Sequence, residues 1–146
     1  MPRGIRWTTC TALGAGVALL MFATSALAAA PVRGATYKGQ VRSGVVVFAV
    51  SGDGRLVLNM RVGQFPPNGC GGGGPPPIEA ASPAPIKNGK FTAHVTYRSS
   101  TGKLIATAKV TGEFLTNRKE QGVVASTIPD DPKCGLNFLP YTTTAQ

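Results

Sequence analysis

Seven side chains in this 146-residue chain could carry acid–base chemistry near neutral pH: the carboxylates Asp53, Glu79, Glu113, Glu120, Asp130 and Asp131, and the single histidine, His94. Their local sequence argues against a catalytic centre. Asp53 lies in the turn-forming run Ser51-Gly52-Asp53-Gly54, Glu79 in a proline-rich stretch, and Asp130-Asp131 between Pro129 and Pro132, where adjacent acids read as turn formers. Glu113 stands beside Phe114, expected in the core, and Glu120 closes the polar run Asn117-Arg118-Lys119-Glu120, which reads as a loop. A glycosidase-type carboxyl pair would have to be assembled from separate loops. His94 falls on the polar side of an alternating strand, and no Ser-His-acid order is evident. No catalytic residue is assigned, and the chain reads as non-enzymatic.

Metal and cofactor chemistry are equally thin. One histidine and two thiolates cannot fill a tetrahedral zinc site. The run Gly71 to Gly74 lacks the following helix and the Lys-Ser/Thr pair that a phosphate-binding loop requires. No metal and no cofactor are expected.

The amino-terminal 30 residues have the layout of a secretory signal peptide. Arg3 and Arg6 precede an uncharged apolar run, Ala12 to Ala23, and Ala26-Leu27-Ala28 ends in small residues suited to cleavage after Ala28, with Ala30 as the second choice. The expected product is a single domain spanning residues 31–146, periplasmic, cell-wall-associated or extracellular, with no integral membrane segment. Cys10 would leave with the leader. Cys70 and Cys134 are then the two remaining cysteines in an oxidising compartment, where one disulfide between them is expected.

The whole chain carries 15 Lys and Arg against 6 Asp and Glu, a formal net charge of +9. Without Arg3 and Arg6 the balance is 13 against 6, or +7. For an exported protein such a charge points to envelope polymers, acidic glycans or lipid head groups, and not to nucleic acid. The alternative is ordinary solubilising charge, since the mature part lacks a dense Lys/Arg cluster.

Elements that would position these groups are strands. Lys90 to Arg98 alternates strictly, with Phe91, Ala93, Val95 and Tyr97 on one face, and Leu104, Ala106, Ala108 and Val110 repeat the pattern. A four-residue loop, Ser99 to Gly102, would pair Tyr97 with Leu104 and Val95 with Ala106. The opposite face would then carry Lys90, His94, Arg98, Lys103 and Lys109 among threonines, a candidate ligand-binding face. It also places Arg98 opposite Lys103, a like-charge pair. Gly44 to Val50 and Arg55 to Val62 form another hairpin, expected to pair Val50 with Leu56 and Phe48 with Leu58 through a five-residue loop. Further strands are expected at Thr36 to Val41, Gly112 to Thr116, Gln121 to Thr127, and Leu136 to Thr142, the last broken near Pro140. The Gly/Pro-rich segment 63–85 is expected to be a long loop outside the sheet. The result is an all-β domain, an antiparallel β-sandwich or barrel-like fold of seven to nine strands.

The succession Tyr37-Lys38-Gly39, the Val45 to Val50 strand, Cys70, Asn88-Gly89-Lys90-Phe91, Val110-Thr111-Gly112-Glu113-Phe114, Gly122 and Cys134-Gly135 resembles small exported bacterial two-cysteine β-sandwich domains of uncharacterised function. The resemblance covers nearly all of the mature chain and rests on turn glycines, core phenylalanines and cysteines. It implies fold and export and carries over no catalytic residue. Three functions remain open: an envelope-associated or secreted structural or binding module; a carbohydrate or anionic-polymer binding protein using Lys90, His94, Arg98, Lys103 and Lys109; and a small secreted hydrolase or enzyme inhibitor.

Overall fold

The computed structural model describes residues 28–42, 44–63, 78–135 and 138–146. Nearly all of the expected signal peptide, Cys70 and the glycine run 71–74 lie outside them. Among the described residues no helix is long and apolar enough to cross a membrane.

Among the described residues nine antiparallel strands form one sheet that curls into a half-barrel. They are β1 (Thr36–Val41), β2 (Gly44–Val50), β3 (Leu56–Gly63), β4 (Ile78–Ala81), β5 (Ala84–Pro85), β6 (Lys90–Arg98), β7 (Leu104–Phe114), β8 (Lys119–Thr127) and β9 (Leu139–Ala145). Their order across the sheet is β4-β6-β7-β8-β9-β1-β2-β3-β5. The barrel-like alternative of the sequence reading is therefore the one realised.

Segment 63–85 does contribute to the sheet, contrary to expectation. β4 pairs with β6 at one edge and β5 pairs with β3 at the other, and only Ser82-Pro83 separates them. The two-residue link holds the outer edges of the sheet close together. Proline is tolerated here because an edge strand needs hydrogen bonds on one side only. Tyr97 on β6 reinforces the seam by donating its hydroxyl to the Val62 carbonyl on β3, at 2.9 Å.

The core lies inside the curl. Tyr37 and Phe48 stack with ring centroids 5.2 Å apart, and Phe91 and Phe114 pack against them at 5.2–6.3 Å. Offset and tilted aromatic contacts of this kind add to the burial of large apolar side chains. Alternation on β6 is as expected, with Phe91, Ala93, Val95 and Tyr97 all buried.

Both predicted hairpin registers need correction. Tyr97 faces Ala106, and Val95 faces Ala108, two residues beyond the expected partners. The turn is longer than four residues: Ser99 N–H bonds the Lys103 carbonyl, Gly102 takes a left-handed φ of 84°, and a bulge leaves Ile105 unmatched between the Tyr97 and Arg98 pairings. A shift of two preserves which face each side chain occupies, which is why the buried set survives. In the other hairpin Val50 faces Val57 and Ala49 faces Leu58, so neither Val50–Leu56 nor Phe48–Leu58 forms. Asn59, at φ 53°, occupies a bulge opposite Phe48 and switches the inward face from Val57 to Met60 and Val62.

The remaining boundaries also differ. β7 is one continuous strand through Phe114, and the following turn closes earlier than expected, with the Leu115 N–H on the Lys119 carbonyl and Thr116 Oγ1 accepting from Arg118 and Lys119 N–H. Glu120 thereby enters β8 and is not a loop residue. β9 runs unbroken through Pro140 to Ala145, with Pro140 opposite Val123.

Candidate functional site

The outward side chains of five neighbouring strands line up across the sheet. One row runs Lys90 (β6), Glu113 (β7), Gln121 (β8), Thr142 (β9) and Gln40 (β1). A parallel row two residues away runs Thr92, Thr111, Val123 and Pro140. At about 4.8 Å between strands, the first row spans about 19 Å. Between the rows stand Gly112 and Gly122, directly paired, flanked by Phe91 and Tyr141, whose rings belong to the buried face. These residues line a shallow groove of about 940 Å³.

The glycine pair is a steric requirement. A methyl on Gly112 would lie 2.1 Å from Glu120 Oε1 and 2.4 Å from the Phe91 ring, and one on Gly122 would lie 2.0 Å from the Thr111 carbonyl oxygen. Without side chains at these two positions, the sheet can pack Phe91 and Tyr141 tightly under the groove.

Chemically the groove mixes hydrogen-bonding groups with a larger share of apolar surface, and its lysine and carboxylate offset each other. Gln40 and Gln121 offer amides; Thr92, Thr111 and Thr142 offer hydroxyls; Val123 and Pro140 offer apolar surface. Its one cation, Lys90, sits 3.4 Å from Glu113. Amides and hydroxyls arranged around apolar surface suit a ligand that is itself rich in hydroxyls and C–H faces.

Beneath the groove lies Glu120, fully buried. Thr143, its direct cross-strand neighbour, donates to Oε2 at 2.6 Å, and Tyr141 donates to Oε1 at 2.8 Å. The Tyr141 hydroxyl also lies 3.3 Å from the Thr111 carbonyl. Burial raises the Glu120 pKa to about 7, against the opposing effect of its two hydroxyl donors. Burial likewise pushes the Tyr141 phenol well above its ordinary value. Glu113 and Glu120 project to opposite faces of the sheet, so they do not form a carboxyl pair around one bond.

The other expected groups are dispersed. His94, Arg98, Lys103 and Lys109 are exposed, as is Lys90. The corrected register sets His94 beside Lys109, and Arg98 opposite Leu104 instead of Lys103. Arg98 donates to the Gly102 carbonyl at 2.9 Å, and Lys103 reaches Asp130 at 2.7 Å. The four cations and His94 thus form no single cluster; of them only Lys90 lines the groove. Asp53 accepts from Ser51 Oγ and Arg55 N–H within its turn, and these bonds hold its carboxyl below the usual range. Cys134 Sγ lies 3.2 Å from Asp131 Oδ2, while Cys70 is outside the described residues. Among the described residues no group of three or more His, Cys, Asp or Glu is placed to hold a metal ion.

Sequence reasoning missed the groove's amides and Glu120. Glutamines on an outer face carry no periodic signature, but Glu120, Gly122, Val124 and Ser126 alternate inward, a pattern present in the sequence once the turn is moved back. No protein-family model, curated protein or solved structure matches this chain.

Proposed function

We propose that this chain is an exported, non-enzymatic binding module of the bacterial envelope, and that its ligand is a glycan strand lying in the groove across β6 to β1. The groove's lining carries the proposal: two glutamine amides and three threonine hydroxyls beside the apolar Val123 and Pro140, with the local cation already matched to Glu113. Export is supported by the signal-peptide layout of residues 1–30 and by the resemblance to small exported two-cysteine domains. In that setting Cys70 and Cys134 pair with each other, and non-reducing peptide mapping of exported protein reads the bond directly.

Binding is tested by titrating the protein with neutral and acidic polysaccharides and following backbone amide shifts. Gln40, Thr142 and Gln121 should shift first, and Gln40→Ala with Gln121→Ala should weaken binding about tenfold without altering the fold. Shifts confined to other faces, or none with any polysaccharide, would remove the proposal.

A further inference from the structure

Carboxylates are unevenly distributed over the sheet. β9, β1, β2 and β3 are consecutive neighbours, and none of their residues is Asp or Glu. Across the outer face of these four strands and the neighbouring β8 the register aligns Lys119, Thr144, Lys38, Val47 and Arg61 in one row. All three cations are exposed. They stand on alternate strands, β8, β1 and β3, and so recur at about 10 Å, twice the interstrand spacing. This row runs parallel to Gln121, Thr142 and Gln40 of the groove, two residues away along each strand, or about 7 Å.

We infer that the row formed by Lys119, Lys38 and Arg61 binds the acidic groups of a linear anionic polysaccharide whose sugar faces lie in the adjacent groove. The inference rests on the glycan reading above and names the class of glycan. A line of separated cations beside hydroxyl and amide groups matches a chain with widely spaced charges. A densely charged polyphosphate would leave most of its phosphates unmatched, because Thr144 and Val47 separate the cations. A lipid surface would require large apolar side chains around the charges; of the exposed ones among the described residues only Leu115 adjoins the row, while Ile78, Ile105 and Phe138 lie elsewhere. Arg61, at the end of the row, also attracts Glu79 on β4, so the decisive positions are Lys38 and Lys119.

The test compares the full chain with Lys38→Gln/Lys119→Gln and with Lys103→Gln/Lys109→Gln, two exposed lysines outside the groove, at about 0.15 M salt, where weak exposed electrostatics are largely screened. The probes are hyaluronan, which has one carboxylate per disaccharide; dextran, which is neutral; polyphosphate; and phosphatidylglycerol vesicles. Hyaluronan should bind the unmodified protein best. The Lys38/Lys119 variant should lose about tenfold in hyaluronan affinity with dextran binding unchanged, and the Lys103/Lys109 variant should change less than about twofold. Equal losses in both variants, or tighter binding of polyphosphate or vesicles, would overturn the inference. If dextran and hyaluronan bind alike in every variant, the acidic preference falls and the groove reading stands. If neither polysaccharide binds, both fall.

Discussion

Lys90 faces Glu113 and Lys103 reaches Asp130, whereas Lys38 stands between Thr144 and Val47 in a row that holds no acid. The β6–β8 half of the sheet thus matches part of its positive charge locally, whereas on β9 to β3 Lys38 has no acid in its row and only Arg61, at the far end, attracts a carboxylate, Glu79. Net charge alone does not distinguish the two. Exposed ion pairs contribute little to stability, but they do cancel the field that would attract an anionic partner. The lysines grouped most closely in sequence, Lys90 to Lys109 on β6 and β7, are therefore the weaker candidate for binding anions.

A second contrast runs through the thickness of the sheet. On the outer face Glu113 is partly exposed beside a lysine; on the inner face Glu120 is sealed among Phe91, Tyr141 and Thr143. One carboxylate is solvated and paired, the other desolvated and held by hydroxyls, although they are seven positions apart in sequence.

The largest expected effect tests the glycine pair that separates these two faces. Gly122→Ala drives a methyl into the Thr111 carbonyl, which is backbone and cannot rotate away, and should cost about 3 kcal/mol or more in denaturant unfolding. A loss under about 1 kcal/mol would show that the strands can separate there freely.

Next in size is the pH dependence that sets Glu120 apart from Glu113. The folded pKa of Glu120, about 7, lies above its ordinary value of 4.5, so the fold holds this proton more tightly than the unfolded chain does. Stability from this group is fully present below about pH 4.5 and falls as pH rises to about 7, by about 3 kcal/mol in all. Glu120→Gln should remove that decline, so that the variant matches or exceeds the parent at pH 8. An unchanged pH profile would mean that Glu120 is solvated in solution.

A smaller effect is expected at the seam. Tyr97→Phe removes the hydroxyl that bonds the Val62 carbonyl and should cost about 1–2 kcal/mol, with faster amide exchange along β3 and β6. Exchange unchanged on both strands would show that β4 and β5 suffice to hold the edges together.

Smallest of all is the replacement of Lys90, Arg98, Lys103 and Lys109 together by Gln. These side chains are exposed and none belongs to the core, so the melting midpoint should stay within experimental error. A marked drop would mean that the paired half draws stability from its charges, and the comparison between the halves would need redrawing.

The sequence by itself determined that this is an all-β chain and which residues face inward on β6 and β7, because a period of two in Phe91, Ala93, Val95 and Tyr97 depends only on strand geometry. The same regularity explains why a register error of two left the buried set intact. Only tertiary structure decided the partners across each strand pair, since a bulge at Ile105 and another at Asn59 insert single residues that the alternating pattern does not announce. It also decided the place of Glu120, where moving a turn back by two residues converts a loop acid into a buried one. Lys119, Lys38 and Arg61 are far apart in sequence, and their alignment exists only because β9, the last strand, pairs with β1, the first, as well as with β8. Long-range pairing of that kind depends on the closure of the whole sheet, for which no local run of residues carries the signal.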